Sequence, residues 1–258
     1  MNKRKKQLES VDKLLDVMDE LRLKCPWDKK QTIKSLRSLT IEETYELSQA
    51  ILDNDMDAIK VELGDILLHI IFYSKIASEK NHFDLSDVAS SVREKLIYRH
   101  PHVFGNLKIN NLNDIKKNWE SLKVIKDNKG VLSGIPSRLP SIIKAERIQE
   151  KAAAVGFDFK TSEDVVKKIK EELNEFLDEI KNKKINSIEE EFGDLFFSLI
   201  NYARILDINP DLALEGSNKK FIKRFNFVEK SLDVKKKKIN SLDLNELNAL
   251  WDKAKEET

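Results

Sequence analysis

Two groups of acidic residues in this sequence have the spacing of a metal-binding site. Each group has three acids within about one helical turn, followed sixteen residues later by two more, three positions apart. Residues three and four positions apart share one face of an α-helix, so each group would present carboxylates on two facing helices. Carboxylates that face inward repel one another and lose hydration, so they need a cation. The first group is Glu42, Glu43, Glu46, Glu62 and Asp65, and the second is Glu171, Glu172, Glu175, Glu191 and Asp194.

The first group requires the chain to reverse between its two acidic patches. Asn54-Asp55 is the only turn-like pair there and lies midway between the patches. We therefore predict an antiparallel helix pair that brings both patches to one level. An ordinary structural explanation stays open, because 45 of the 258 residues are acidic and Thr40 with Glu43 also has the pattern of a capping box.

The second group favours a metal-binding role over the structural explanation. Its five acids and Gly193 match the first group and Gly64 at one constant offset of 129 residues. At the acidic frequency of this chain, five matches at a given offset have a chance on the order of 10⁻⁴. Ile169 stands where the first copy has Thr40, so Glu172 cannot belong to the same capping box. The acidic cluster is therefore repeated where a capping role is absent.

The ligand types indicate a hard cation. Carboxylate oxygens without cysteine or histidine suit Mg²⁺ or Mn²⁺ better than Zn²⁺. A di-iron centre would need Glu-x-x-His pairs, and none of the four histidines lies three residues after an acid of either group. His69 follows Asp65 by one turn and could touch a metal, but its counterpart in the second copy is Ser198. We therefore interpret His69 as a packed side chain or one that supports the metal ligands without binding the metal. Magnesium held by carboxylates usually meets a phosphate.

Cations and tryptophans that would suit a nucleotide recur in both halves. Each half has a lysine and an arginine four residues apart, and a tryptophan followed four residues later by a lysine. The cation pairs could bind a polyphosphate and the tryptophans could stack on a base. Ordinary surface cations and a packing role for the tryptophans are the alternatives. The residues are Lys95, Arg99, Trp119 and Lys123 in the first half, and Lys220, Arg224, Trp251 and Lys255 in the second.

Helices must position all of these residues. Periodic apolar stripes and a near absence of strand signals predict an all-α protein, a duplicated helical bundle. We expect domains at residues 1–123 and 141–258, joined by a linker at 124–140 that is marked by glycine and proline. Besides a first helix that ends before Cys25 and an acidic hairpin that reaches about Ser78, the predicted helices are 88–99, 112–123, 141–154, 163–181, 188–206, 211–230 and one carrying Trp251.

Composition excludes several classes of protein. The formal net charge of +1 gives no basic field for nucleic acid, and the run Lys235–Lys238 suits a solvated helix end. The longest apolar stretch, Ile66–Tyr73, is too short to span a membrane. Cys25 is the single cysteine, so no internal disulfide can form. We predict a cytoplasmic protein without a membrane or nucleic-acid partner.

Several segments resemble the MazG family of nucleoside triphosphate pyrophosphohydrolases, in its two-domain form. They are CPWDKKQTIKSLRSLTIEETYELSQAI, ELGDILLHIIFYSKIA, REKLIYRHPHVFG, GIPSRLPSIIKAERIQEKAAAVGFDF, EEEFGDLFFSLINYAR, NKKFIKRF and the terminal WDKAK. The resemblance implies Mg²⁺-dependent cleavage of nucleoside triphosphates between the α and β phosphates by an all-α homodimer. The alternative is a non-catalytic helical protein that binds nucleotides or a protein partner. Ile33 departs from the family pattern, in which we expect histidine after Gln31-Thr32.

The resemblance also implies roles for individual residues. The metal ligands would be Glu172, Glu175, Glu191 and Asp194, with a second set at Glu43, Glu46, Glu62 and Asp65. The nucleotide would be held by Lys168, Lys220, Arg224, Trp251 and Lys255. Glu171 lies outside the metal quartet and is a candidate for the general base.

We predict that the second copy carries most of the catalysis. Lys168 stands one turn before Glu171 and Glu172, where a cation could reach a bound triphosphate, whereas the first copy has Leu39 at that position. Thr40 is expected to begin a helix at the motif and to give its Glu43 a structural role that competes with metal binding. The first copy keeps its cation pair and its tryptophan, so a second working site stays open.

Overall fold

The computed structural model describes residues 2–107, 130–183, 185–234 and 238–257, and every regular element within these ranges is a helix. The prediction of an all-α protein is therefore confirmed. The chain divides into two compact units, Met1–Lys108 and Ile109–Thr258, which we call the first and the second unit. No helix among the described residues is long and apolar enough to cross a membrane.

The acidic hairpin forms the centre of the first unit. Asn54 adopts a φ of 55°, and Asp55 caps the following helix by accepting hydrogen bonds from the N–H groups of Asp57 and Ala58. The predicted reversal at Asn54-Asp55 is thus confirmed. The helices of this unit are α1 (Lys3–Lys24), α2 (Pro26–Lys30), α3 (Ile33–Leu52), α4 (Met56–Ser78), α5 (Leu85–Arg99) and α6 (Pro101–Phe104).

The predicted capping box at Thr40 and Glu43 is wrong. α3 begins two turns earlier, where Thr32 and Ser35 form a reciprocal capping box. Thr40 lies inside the helix, donates a hydrogen bond to the Leu36 carbonyl and shares another with the Tyr73 hydroxyl at 2.7 Å. The earlier start allows α3 to bury Leu36 in the core, and that burial decides between two locally similar caps.

The core of the first unit joins α1, α3 and α4. Leu39 is one of the half-buried side chains that pack against this core. Arg22, at the end of α1, donates hydrogen bonds to the carbonyls of Asp28 and Gln31 and forms a two-pronged ion pair with Glu79. This arginine ties α2 and the start of α3 to the end of α4. The buried core residues are Met18, Leu36, Ile71, Phe72 and Ile76.

The second unit repeats the hairpin. Its helices are α7 (Ser141–Ala154), α8 (Ser162–Asn182), α9 (Ile185–Ile205), α10 (Pro210–Val234) and α11 (Leu244–Glu257), with a 3₁₀ turn at Ile239–Ser241. Thr161 caps α8 by accepting a hydrogen bond from the Asp164 N–H, and Lys183 ends α8 in the left-handed region with a φ of 57°. α7 packs against α9, and a separate core of Val228, Leu232 and Ala254 joins α10 to α11.

The helices of the second unit were predicted to within a few residues. α7 has the predicted bounds, and α9 begins three residues earlier than expected. The predicted helix 112–123, with Trp119 and Lys123, lies outside the described residues, as does most of the run Lys235–Lys238. The division into residues 1–123, 124–140 and 141–258 stays a prediction.

Candidate functional site

The hairpin of the second unit brings three carboxylates together. Glu172 and Glu175 lie one turn apart on α8, and Glu191 lies opposite them on α9. One carboxylate oxygen from each lies within 4.8 Å of the others. Glu172 is only 5% exposed, Glu191 is half-buried and Glu175 is exposed. Three hard oxygen donors at this spacing can hold a divalent cation.

The first unit contains an equivalent cluster. Glu43 and Glu46 on α3 and Glu62 on α4 also bring one oxygen each to within 4.8 Å of the others. The two aspartates, Asp65 and Asp194, do not belong to these close groups of three. In each unit, within the described residues, three of the four carboxylates predicted as metal ligands therefore lie together and the aspartate lies outside the group.

In both clusters, the negative charge of one carboxylate makes ionisation of its neighbours less favourable. Burial raises the pKa of Glu191, and the charges of Glu175 and Asp194 raise it further. Burial likewise raises the pKa values of Glu43 and Glu62, and Asp65 adds to both shifts. Each aspartate is thus near enough to act on its cluster electrostatically. A bound cation would relieve this repulsion, which is why the donor set fits Mg²⁺ or Mn²⁺.

A lysine distinguishes the second cluster from the first. The Nζ of Lys168 lies 2.8 Å from Glu171 Oε1 and 2.7 Å from Glu172 Oε1. Hydrogen bonds to Glu171 and then to Glu172 raise the pKa of Lys168 well above its usual value. The corresponding position of the first unit is Leu39, which packs against the core. The second cluster therefore contains a positive charge that the first lacks at this position.

One of the two expected differences between the copies is absent. Thr40 does not begin α3, so Glu43 has no capping role to compete with metal binding. The predicted asymmetry now depends on Lys168 and on the surroundings of each cluster.

The other predicted nucleotide-binding residues lie on α10 and α11. Trp251 is half-buried in the core between these helices, with its ring 5.1 Å from that of Phe221. Lys255 forms an ion pair with Asp252 at 2.8 Å. Arg224 has a buried Nε without a hydrogen-bond partner among the described residues. No ion pair within the described ranges joins Lys220 or Arg224 to the carboxylate cluster.

In the first unit only part of the corresponding set is described. Lys95 is exposed and Arg99 is half-buried, both on α5. Trp119 and Lys123 lie outside the described residues. His69 is 6% exposed, and burial lowers its pKa, so the interpretation of a packed histidine is confirmed. Its counterpart Ser198 is also buried.

The second unit contains a cavity that was not predicted from the sequence. It measures about 600 Å³ and is lined by α7, α9, the loop at 155–159 and the turn at 131–132. Gln149 and Asn201 are buried polar side chains in its wall. Arg204 also lines it, forming an ion pair with Asp158 and hydrogen bonds to Asn201 Oδ1. The match of Gly156-Phe157-Asp158 to Pro26-Trp27-Asp28 was the available signal, because it marks the loop that closes one side of the cavity.

Comparisons with known proteins find relatives along most of the chain. The family model of the MazG nucleotide pyrophosphohydrolase domain matches twice, at residues 31–104 and 160–228. A nucleoside triphosphate pyrophosphohydrolase of Escherichia coli K12 is 36% identical over 96% of this chain and 98% of its own length. A nucleoside triphosphate pyrophosphohydrolase/pyrophosphatase MazG of Thermotoga maritima is 41% identical over 95% of each chain. A nucleoside triphosphate pyrophosphohydrolase of Mycobacterium tuberculosis is 35% identical over 54% of this chain and 44% of its own length.

Proposed function

The chain belongs to the MazG nucleotide pyrophosphohydrolase family, and from this premise we propose that it hydrolyses nucleoside triphosphates to the monophosphate and pyrophosphate. Water attacks the α-phosphorus and the bond to the β-phosphate breaks. The carboxylate cluster of the second unit carries the proposal, because its three oxygens gather within 4.8 Å and could hold a divalent cation. The protein would act on the nucleotide pool of the cytoplasm.

Mg²⁺, or Mn²⁺ in its place, would be held by Glu172, Glu175 and Glu191, with Asp194 as the fourth ligand. When bound, such an ion polarises phosphoryl oxygens and lowers the pKa of water. The cluster fits this role because its oxygens are hard donors and because their mutual repulsion, seen in the raised pKa of Glu191, calls for positive charge. The corresponding set of the first unit is Glu43, Glu46, Glu62 and Asp65.

The chain's own side chains would orient the substrate and move the proton. Lys168 is paired with Glu171 and Glu172, and a triphosphate at the cluster would offer its Nζ a competing anion. Lys220, Arg224 and Lys255 supply further cations for the departing pyrophosphate, and Trp251 a ring for the nucleotide. Glu171 is a candidate to accept the proton of the attacking water, since it lies beside the cluster.

A homodimer would cover the exposed apolar face of the hairpin. The α8–α9 pair exposes large apolar side chains, among them Leu177 at 43% and Phe192 at 55% exposure. In a four-helix bundle, a second hairpin covers such a face. Light scattering of the full-length protein at micromolar concentration should give twice the chain mass, and a stable monomer would contradict the dimer.

The reaction is tested by identifying products. A panel of nucleoside and deoxynucleoside triphosphates is incubated with the protein and Mg²⁺, and the products are separated by ion-exchange chromatography. We expect monophosphate and pyrophosphate in equal amounts, with no turnover in excess chelator. Diphosphate and orthophosphate as the only products would contradict the proposal, since they report cleavage at the γ-phosphate. Binding without turnover for every nucleotide would support a non-catalytic protein instead.

A further inference from the structure

Lys168 bridges two carboxylates at the second cluster. Its Nζ lies 2.8 Å from Glu171 Oε1 and 2.7 Å from Glu172 Oε1. The three residues lie three and four positions apart on α8, so the helix itself places the lysine beside both acids. The side chain of Glu172 is only 7% exposed, whereas that of Lys168 is 38% exposed. A buried carboxylate is therefore paired with a cation that still reaches solvent.

This ion pair uses a proposed metal ligand. Glu172 belongs to the group of three carboxylates that could hold a divalent cation, and one of its two oxygens is bonded to Lys168. A metal ion on the other oxygen would lie only a few ångströms from the lysine Nζ. Like charges at this separation repel one another, and salt screens the repulsion little at a buried carboxylate. The ion must therefore displace the lysine or bind against its charge.

The first cluster has no such competitor. Leu39 stands at the position of Lys168 and packs against the core of its unit. Within the described residues of the first unit, none of the ion pairs includes Glu43, Glu46 or Glu62. A cation that binds these carboxylates would displace no basic side chain.

A triphosphate could draw the lysine away from Glu172. Phosphate oxygens are strong acceptors for an ammonium group, and the flexible lysine stem allows Nζ to move to a new partner. This movement would return the full charge of Glu172 to the cluster, and the phosphates would add further oxygen ligands. Substrate would then strengthen metal binding, and metal would strengthen substrate binding by the same factor.

We propose that Lys168 competes with the metal ion for Glu172 and releases this carboxylate only to a complex that contains the triphosphate. The second cluster would then bind metal and substrate together, whereas the first would bind metal alone. This inference rests on the proposed function. It gives Lys168 an effect that a phosphate contact does not have, because the lysine lowers the metal affinity of the cluster without substrate.

The first measurement is metal binding without nucleotide. Full-length protein with Glu43→Gln and Asp65→Asn serves as the background, so that the second cluster dominates binding, and electron paramagnetic resonance counts free Mn²⁺. In this background Lys168→Leu should tighten Mn²⁺ binding about tenfold, because the competing cation is gone. Lys167→Leu removes the same charge from a neighbour that pairs with Asp164, and should change Mn²⁺ affinity by less than about twofold.

The second measurement is the coupling between metal and substrate. An adenosine triphosphate analogue with a methylene group between the α and β phosphorus atoms resists the proposed cleavage. Calorimetry gives its affinity with and without Mn²⁺. The gain from Mn²⁺ should be about tenfold larger in the background protein than in its Lys168→Leu variant, since only the former must release a lysine. Chelation of Mn²⁺ by the analogue in solution is the same for both proteins and cancels.

The proposal is overturned if Lys168→Leu leaves Mn²⁺ affinity unchanged or weakens it, since Lys168 would then be only a phosphate contact. It is also overturned if Lys167→Leu tightens Mn²⁺ binding equally, or if the coupling is the same with and without Lys168. Lys168→Met replaces Lys168→Leu if circular dichroism shows a loss of helix.

Product identification with the wild-type protein keeps the two proposals separate. Hydrolysis together with an unchanged Mn²⁺ affinity in Lys168→Leu would refute the competition alone. The expected binding results without hydrolysis would refute only the proposed reaction.

Discussion

The two units have the same carboxylates in the same arrangement and differ in what surrounds them. Glu43, Glu46 and Glu62 bring one oxygen each to within 4.8 Å of the others, and so do Glu172, Glu175 and Glu191. Beside the second cluster stands Lys168, and beyond it lies a cavity with buried amides. Beside the first stands Leu39, which packs against the core of its unit. Two sites equal in their metal-binding residues can therefore differ widely in substrate binding.

Removal of the carboxylates from one cluster at a time tests the comparison most strongly. Glu172→Gln with Asp194→Asn should lower turnover by at least about a hundredfold, because the protein would lose two ligands of the cation that stabilises the transition state. Glu43→Gln with Asp65→Asn should lower it far less. Steady-state pyrophosphate release measures both, with circular dichroism to show unchanged helical content. An equal loss in the two, or a greater loss in the second, would show that the first unit is the main site.

The lysine is expected to have the next largest effect. Lys168→Leu gives the second cluster the residue of the first and removes one charge-assisted contact to the triphosphate. The loss should be about 1.5–3 kcal/mol, or roughly ten- to a hundredfold in kcat/KM. Lys167→Leu is the matched control, since Lys167 pairs with Asp164 instead. If both variants lose activity equally, the effect is one of net charge and Lys168 has no specific role.

Arg22 and Arg204 each connect a loop to the helical hairpin of their unit, and their contributions to the stability of the protein can be compared. Arg22→Met should lower the free energy of unfolding by about 1–3 kcal/mol, because it leaves two carbonyls and Glu79 without their donor. Arg204→Met should cost less, since Arg204 serves one carboxylate and one amide. Urea denaturation gives both values.

The Arg22 contribution should also depend on pH. Hydrogen bonding from Arg22 lowers the pKa of Glu79, so the stabilisation is present above the ordinary pKa of glutamate and is lost as pH falls through the lowered value. In strong acid only the hydrogen bonds to the two carbonyls remain, so the difference between wild type and Arg22→Met should become smaller. A difference that does not decrease as pH falls would contradict this account.

The smallest expected effect is a stabilisation of the metal-free protein. The pKa values of Glu62 and Glu191 are raised in the folded state, so their protonated forms are favoured by folding and stability is lost as pH rises through the raised pKa. Glu62→Gln and Glu191→Gln should each raise Tm slightly at pH 7 in chelator. The rise should be larger for Glu62→Gln, because Lys168 already balances part of the second cluster. Equal shifts would mean that this lysine does not relieve the repulsion.

The hairpins could be predicted because their signals are local. Helical spacing placed the acids on shared faces, and Asn54-Asp55 marked the reversal that the structure contains. The residue at which α3 begins could not be predicted from local signals in the same way. Thr32 and Thr40 each have a capping pattern, and only the burial of Leu36 in a core from three helices selects the first.

The sequence by itself determined which side chains are present, the period at which they recur and their repetition in the second half. These properties are enough to determine two helical hairpins with paired carboxylates. These properties depend on residues a few positions apart, where helix geometry fixes the neighbours. Only the tertiary structure decided that Lys168 pairs with Glu171 and Glu172 and that a cavity lies between α7 and α9. Such differences arise where side chains from separate helices meet, and their volume and charge act on one another only after the helices have packed.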